Sequence, residues 1–267
     1  LMLWFAVVLA HAFTLRSASA TEGAPSRPLS VAANARRNTA SVVTIETRTG
    51  SGSGVIVSSA GVIATNLHVI RGEYYISVRL SNGDAYNDVV VVDVDALKDI
   101  ALIRIKAFGL TPVQMGNSDD LKVGEHVTVI GSPRGLARTV TDGVISAFRN
   151  NGEGYRLLQT SAAISPGSSG GGVFDDRGLL VGLVVSKLTS GENINFALPI
   201  NYVRGLLPAS GQMSLAEFVS KYPYTGDDED SEGESAEDED RTAPASFSEG
   251  WFRRLVDKAG IKYLVRS

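Results

Sequence analysis

The sequence predicts an all-β protein that folds as two six-stranded barrels. Twelve short runs of β-branched and apolar residues recur with turn residues between them, and no long segment repeats its apolar residues with the period of a helix. Gly, Pro, Asn and Asp interrupt this pattern over residues 107–122, so the divide between the barrels is predicted there. Six runs precede the interruption and six follow it: SVVTIET, SGVIVSS, GVIATN, YYISVRL, DVVVVDVD and DIALIRI, then HVTVIG, TVTDGVISAF, YRLLQT, GGVFD, LLVGLVVS and INFALP.

The N-terminal segment resembles an export signal. Residues 1–20 combine a thirteen-residue apolar run with Ala18-Ser19-Ala20, a sequence typical of signal-peptidase cleavage. The run is short for a membrane span, although an uncleaved N-terminal anchor stays the alternative. The protein is therefore expected to be exported, to the periplasm or outside the cell. Residues 21–38 are expected to be an extension, and residues 39–208 the folded domain.

The C-terminal part is predicted to be an appendage. A short helix over 200–208 should close the domain, and 209–245 should be a linker. Within it, residues 227–240 hold ten acidic side chains and no basic ones, which predicts disorder. A calcium site is the alternative, but the run lacks the required pattern of alternating ligands. Residues 246–267 are predicted to form a short amphipathic helix that docks on the linker or contacts a membrane surface.

Charge and composition exclude several classes of function. Residues 1–226 hold 19 basic and 17 acidic side chains, and no basic stripe with interleaved aromatics appears, so nucleic-acid binding is not expected. The chain has no cysteine, which excludes disulfides and a thiolate nucleophile. With 43% hydrophobic residues, the chain can form a substantial core.

The stretch AAISPGSSGGGVFD, residues 162–175, holds four glycines and three serines. Such a composition fits either a flexible linker or a functional loop. The flanking segments RLLQTSAAI and GLLVGLVVS are strand-like, so the stretch lies inside a compact domain, where a long structureless loop is uncommon.

A serine in that stretch needs a base to become a nucleophile, and histidine is the usual base. The chain has three histidines. His11 belongs to the signal segment, and His126 opens an alternating strand, which favours a structural role. His68 follows the strand VIATN at a strand end, where a side chain can face a cleft, although a packed histidine is the alternative.

A carboxylate must orient the imidazole of such a base. Asp99 stands directly before the apolar strand IALIRI, where capping a turn would be its simplest role. In combination, however, His68, Asp99 and Ser169 follow the order in which chymotrypsin-like enzymes carry their catalytic residues.

Several motifs together resemble the protease domain of the HtrA/Deg family of trypsin-like serine peptidases, from about residue 40 to 205. They are GSGVIVSSAGVIATNLHVI, KDIALIRI, GNSDDLKVGEHVTVIGSPRGL, TVTDGVISAF, QTSAAISPGSSGGGVFD and INFALPIN. The resemblance implies a chymotrypsin-like double barrel with its active site in the cleft between the barrels. It also implies His68 as general base, Asp99 as its orienting partner and Ser169 as nucleophile.

The same resemblance assigns the parts of the site that hold the substrate. The amides of Gly167 and Ser169 would form the oxyanion hole, since backbone N–H groups aimed at the developing charge stabilise it. The floor of the specificity pocket would lie six residues before the nucleophile, at Ala163. The pocket residues implied are Ala163, Ile164, Asn195, Phe196 and Ala197.

The chain departs from the family pattern at a few positions. Ser168 stands where relatives usually have Asn or Asp, and Gly172 where Pro or Ala is common. Activation by a salt bridge from a new N-terminus is therefore not expected. About 60 residues follow residue 205, too few for the PDZ domain that the family typically carries next.

The resemblance implies an exported, ATP-independent serine endopeptidase that cleaves unfolded or damaged proteins through an acyl-enzyme. Polypeptides are its expected substrates, and no metal or cofactor is expected. Assembly into a homo-oligomer, a trimer by resemblance, is a further expectation. The alternative is a catalytically silent scaffold that binds peptides in the cleft, which the departures at Ser168 and Gly172 keep open.

Overall fold

The computed structural model describes residues 28–132, 138–151, 154–187, 194–207 and 211–224. These residues form thirteen strands and four α-helices, arranged as one curled sheet and one closed barrel, so the predicted all-β double barrel is confirmed. The predicted signal segment, acidic run and C-terminal amphipathic helix lie outside the described residues. Among those that are described, no helix has the length and apolarity to cross a membrane.

The first unit is a curled antiparallel sheet in the order β5-β4-β1-β2-β3-β7-β6. It has seven strands where six were predicted. The additional strand is the two-residue β5 at the edge of the sheet, which no apolar run in the sequence indicates. The inward side chains of the other strands, such as Ile45, Ile63 and Ile103, are fully buried in one core. The strands are β1 Val42–Thr47, β2 Ser51–Ile56, β3 Val62–Asn66, β4 Ile76–Arg79, β5 Ala85–Tyr86, β6 Val89–Asp95 and β7 Ile100–Ile105.

The second unit is a closed six-stranded barrel in the order β10-β13-β12-β11-β8-β9, as predicted. A further core joins it to the first sheet: Val55 and Ile100 from the first unit pack in one cluster with Phe174 and Leu198 from the second. The two units are therefore held face to face by buried apolar side chains. The strands are β8 His126–Gly131, β9 Thr139–Asn150, β10 Arg156–Thr160, β11 Gly172–Phe174, β12 Leu180–Lys187 and β13 Asn195–Pro199.

Helix α1, Val31–Asn38, precedes the first strand and packs on the second barrel. Its N-terminus is capped by Ser30, whose hydroxyl accepts a hydrogen bond from the amide of Ala33. On its buried side, Asn34 Nδ2 lies 2.7 Å from the carbonyl oxygen of Asp175. Residues 29–38 of the predicted N-terminal extension are thus part of the folded body.

The short helix α2, Leu67–Ile70, follows β3. Two further helices follow the last strand, β13. Helix α3, Ile200–Leu206, forms where a closing helix was predicted. Helix α4, Leu215–Lys221, begins with a capping box between Ser214 and Glu217 and buries Phe218 in the core of the first sheet. The linker predicted over residues 209–245 is therefore wrong for this part, which is packed structure.

Candidate active site

His68 lies on α2, a single helical turn that follows directly on the end of β3. The turn is held in place by the main chain of Asp99, which precedes β7. Its carbonyl oxygen accepts hydrogen bonds from the amide of Leu67 and from Nδ2 of Asn66, both at 3.1 Å. The pairing of β3 with β7 thus brings the predicted base and its predicted partner together.

The carboxylate of Asp99 binds His68 with both oxygens. Oδ2 lies 2.6 Å from Nδ1 of the imidazole, and Oδ1 accepts the backbone N–H of His68 at 2.8 Å. Asp99 is only 3% exposed, and its φ of 55° lies in the left-handed region that few residues other than glycine adopt. The surrounding structure therefore holds this carboxylate in one orientation relative to the imidazole.

The loop that carries Ser169 is built from two tight turns. The amide of Ser168 donates to the carbonyl of Ser165 at 3.0 Å, and the amide of Gly171 donates to the carbonyl of Ser168 at 2.8 Å. Gly170 has φ +81°, and a Cβ there would lie 2.1 Å from the carbonyl oxygen of Ser53. Glycine is thus required where this loop packs against β2 of the first sheet.

Ser169 is half-buried, and its hydroxyl donates to the carbonyl oxygen of Val185 at 2.8 Å. Gly52 separates the loop from α2. A Cβ on Gly52 would lie 2.7 Å from the methyl groups of Val69 and 3.3 Å from the carbonyl oxygen of Ser169. Because Val69 follows His68, the base and the serine loop lie on either side of this one glycine.

The amides of Gly167 and Ser169 have no acceptor among the described residues. Gly167 has φ +85°, which again favours glycine. No acceptor in the described part of the chain therefore competes with a ligand for these two N–H groups. They belong to the same loop as the Ser169 hydroxyl, as an oxyanion hole would require.

The predicted pocket residues lie on two segments of the second barrel. Asn195 on β13 donates from Nδ2 to the carbonyl oxygen of Ala162 at 2.8 Å, which joins β13 to the segment that leads into the serine loop. Ala163 is exposed and Ile164 is 7% exposed, whereas Phe196 and Ala197 are almost completely buried in the hydrophobic cores. Ala163 is the exposed member of this set, and Ile164, Asn195, Phe196 and Ala197 are buried.

His126 lies apart from this constellation, at the exposed start of β8. Its Nε2 is 3.0 Å from Oδ2 of Asp142, and both side chains are about half exposed. This solvent-exposed side-chain contact is of a kind that contributes little to stability. Within the described part of the chain, no group of three or more acidic or histidine side chains is arranged to hold a metal ion.

One residue that contacts the serine loop was missed from the sequence. Ser53 on β2 hydrogen-bonds to the main chain of both Gly167 and Ser169. The signal available was the GSGSG stretch over residues 50–54, which lacks side-chain bulk inside a strand pattern. A glycine inside a strand often marks a close approach of another backbone.

Comparisons with known proteins agree with this geometry. The model of the trypsin-like peptidase domain matches residues 52–183, a range that contains His68, Asp99 and Ser169. Serine protease HTRA1 of Xenopus tropicalis is 40% identical over 190 residues, which cover 68% of this chain and 41% of that protein. The chain belongs to the HtrA/Deg family of trypsin-like serine proteases. The resemblance predicted from the sequence motifs is confirmed.

Other HtrA relatives extend the match to bacteria and to solved structures. A probable periplasmic DegP-like serine endoprotease of Buchnera aphidicola is 46% identical over 164 residues, covering 58% of this chain and 35% of that protein. The structure of the HtrA-type protease AlgW with a tripeptide superposes with a TM-score of 0.63 at 33% identity, covering 67% of this chain and 62% of that one. The serine endoprotease from Yersinia pestis gives a TM-score of 0.61 at 33% identity, covering 68% and 66%. The chain spans about two fifths of the length of the curated relatives it matches.

Proposed function

We propose that this protein is a serine endopeptidase that hydrolyses polypeptides through an acyl-enzyme on Ser169. The observation that carries the proposal is the pair of the buried Asp99 and the partly buried His68, with 2.6 Å between Oδ2 and Nδ1, beside a glycine-rich loop that presents a serine hydroxyl. A buried carboxylate that fixes the imidazole is what activation of a serine requires.

In the proposed reaction, Ser169 Oγ attacks the carbonyl carbon of the scissile bond, and its proton passes to Nε2 of His68. The imidazole keeps Nδ1–H on Asp99, whose second oxygen is occupied by the backbone N–H of His68. In this structure the Ser169 hydroxyl donates to the carbonyl of Val185. For the proton to pass to His68, this hydroxyl must turn toward the imidazole.

The tetrahedral intermediate carries a negative oxygen, which would accept hydrogen bonds from the amides of Gly167 and Ser169. His68 then gives its proton to the leaving amine as the C–N bond breaks. A water molecule repeats the sequence on the ester, which frees the new carboxylate and restores Ser169. Backbone donors placed in advance lower the barrier because they do not have to reorganise when the charge develops.

The substrates we propose are exposed segments of unfolded or damaged proteins, as part of protein quality control outside the cytoplasm. Two comparisons support this: a solved relative binds a tripeptide, and another is a probable periplasmic endoprotease. Assembly as a homo-trimer is proposed by resemblance to the family. The half-exposed position of Ser169 is compatible with an extended peptide entering from solvent.

The silent scaffold is the weaker candidate, because packing explains both departures that favoured it. Ser168 is 3% exposed, and a Cβ on Gly131 would lie 2.9 Å from its Oγ, so a larger side chain at 168 would need more room. A Cβ on Gly172 would lie 2.5 Å from the ring of Phe174, which accounts for glycine in place of alanine or proline. Neither departure removes a group that the reaction uses.

The test is degradation of casein by the purified protein. Ser169→Ala and His68→Ala should each abolish it, since loss of a triad member costs several powers of ten in rate. His126→Ala is the matched control and should keep most activity, because this half-exposed histidine hydrogen-bonds to the surface residue Asp142 and lies on a different strand from the proposed triad. Casein turnover that persists without His68 would overturn the proposed mechanism, and a wild-type protein that binds casein without cleaving it would favour the scaffold.

A further inference from the structure

Ser53 is a fully buried residue of β2 whose polar groups all bind other segments. Its backbone N–H donates to the carbonyl of Ser169 at 2.7 Å, and its Oγ donates to the carbonyl of Gly167 at 2.7 Å. Its own carbonyl accepts the hydroxyl of Thr65 at 2.7 Å, and its Oγ accepts the amide of Ser132 at 2.9 Å. Ser53 is therefore bound to the serine loop, to β3 and to the end of β8.

We infer that Ser53 is a positioning residue that fixes the main chain of the oxyanion hole. This inference rests on the proposed function. The carbonyls that it holds belong to Gly167 and Ser169, the two residues whose amides have no acceptor among the described residues. Because both carbonyls are held, the peptide group that joins Ser168 to Ser169 cannot rotate freely. That peptide group carries the Ser169 N–H.

Gly167 needs such a restraint because glycine has no side chain to limit its backbone. Its φ of +85° is one of several conformations that glycine adopts at similar cost. Ser168, the next residue, is anchored by a turn to Ser165, whereas the carbonyl of Gly167 is fixed by the Ser53 hydroxyl. Donors aimed in advance are what stabilise an oxyanion, so loss of this hydroxyl should slow the chemical step.

The hydroxyl can be separated from the rest of Ser53 by mutation. In Ser53→Ala, the backbone bond to Ser169 persists, whereas the carbonyl of Gly167 and the amide of Ser132 lose their shared partner. A matched control lies next to it. Thr44 Oγ1 and Ser132 Oγ are 2.6 Å apart and similarly buried, and among the described residues neither hydroxyl hydrogen-bonds to the serine loop, so Ser132→Ala removes a comparable hydrogen bond elsewhere.

The experiment measures kcat and KM separately for a chromogenic peptide, together with thermal unfolding, for the wild type, Ser53→Ala and Ser132→Ala. We expect kcat of Ser53→Ala to fall by roughly ten- to a hundredfold with little change in KM, less than loss of an oxyanion donor itself. Ser132→Ala should keep kcat within about twofold at a similar loss of melting temperature. A Ser53→Ala variant with unchanged kcat, or a Ser132→Ala variant that loses as much, would overturn the inference.

A readout without catalysis separates this inference from the proposed function. In the Ser169→Ala background, ¹H–¹⁵N spectra should show the Gly167 amide shifting or broadening when Ser53 becomes alanine and staying in place when Ser132 does. An unmoved Gly167 amide contradicts the positioning role even if the protein proves to be an active protease. If Ser53→Ala fails to fold, Ser53→Thr is the second variant, because it keeps the hydroxyl. A folded Ser53→Thr protein should retain kcat within a few-fold. Loss of kcat in that protein would count against the inference.

Discussion

Asp99 uses its two carboxylate oxygens on one residue: Oδ2 lies 2.6 Å from the imidazole of His68, and Oδ1 accepts that residue's own backbone N–H at 2.8 Å. The side chain therefore fixes both the ring and the main chain that carries it. Its backbone, at φ 55°, is held there by its neighbours, which include the amide of Leu67 on its carbonyl. Residues kept in such conformations are often part of a functional site.

Replacing Asp99 by Asn should lower kcat by roughly 10³- to 10⁴-fold with the fold preserved, because an amide next to Nδ1 favours the wrong tautomer of the imidazole. Peptide hydrolysis and thermal unfolding measure the two effects. The chain offers a second His–Asp pair as a control, since His126 and Asp142 are 3.0 Å apart on the surface. Asp142→Asn should leave kcat unchanged, and equal losses in both variants would mean that Asp99 has no special role.

Gly170→Ala should destabilise the serine loop more than a substitution at another left-handed glycine. At Gly170 a Cβ would meet the carbonyl oxygen of Ser53 at 2.1 Å, whereas Gly83, at φ +95°, has nothing within 4 Å. Gly83→Ala therefore carries only the backbone penalty of roughly 1–2 kcal/mol. Denaturant unfolding of both variants gives the comparison. A Gly170→Ala variant no less stable than Gly83→Ala would show that the loop adapts, contrary to the packing seen here.

The protease should cleave after small or medium aliphatic residues and poorly after Lys or Arg. Ala163, six residues before Ser169, carries no charge to pair with a basic side chain, and its neighbour Ile164 is apolar. Mass spectrometry of the products from an unfolded protein measures the preference. Ala163→Asp should add cleavage after Lys and Arg. If the wild type already cleaves mainly after Lys or Arg, the pocket lies elsewhere.

The parts of the fold that the sequence predicts are those set by local patterns. Alternating apolar residues mark the long strands, and His68, Asp99 and Ser169 stand at strand ends, where their motifs are compact. Strand β5 was missed because it has two residues and no apolar run. Helix α4 carried a visible signal, the Ser214–Glu217 capping box, but its seven residues stand next to an acidic run that favours a linker.

Ser53 could not be predicted for a different reason. Its hydroxyl partners, Ser132 and Gly167, are 79 and 114 residues away in the chain, on the other barrel. The GSGSG stretch over residues 50–54 indicates that another backbone comes close, but it does not indicate which distant segment does so. Only the closure of the two barrels on each other brings β2 against the serine loop.

The capping box of α4 should make the attachment of this helix pH-dependent. The backbone N–H of Ser214, and then its hydroxyl, hold the pKa of Glu217 below its usual value. Since the folded pKa is the lower one, the stabilisation is complete above the unfolded value of roughly 4.3 and is lost as the pH falls through the folded pKa. Glu217→Gln should thus lower the melting temperature at pH 7 and match the wild type once the pH is below the folded pKa of Glu217. Glu125→Gln removes a carboxylate that caps none of the helices in the described part of the chain, so it is the control and should show no such convergence.

Truncation after Tyr224 should leave a folded, active protease whose response to salt has changed. The chain is anchored up to this point: the amide of Gly72 donates to the carbonyl of Tyr222 at 3.2 Å, and a Cβ on Gly72 would lie 2.7 Å from that of Tyr224. Gly72 follows the helix of His68, so Tyr224 lies against the segment next to the base, and the ten acidic residues of 227–240 come soon after it in the sequence. They should favour cationic substrates at low salt, and truncation should raise KM for a basic peptide and weaken its salt dependence. Truncation after Leu207 is the control, because it also removes the buried Phe218 and should destabilise the fold. If the protein truncated after Tyr224 unfolds or loses kcat, the residues beyond belong to the folded core.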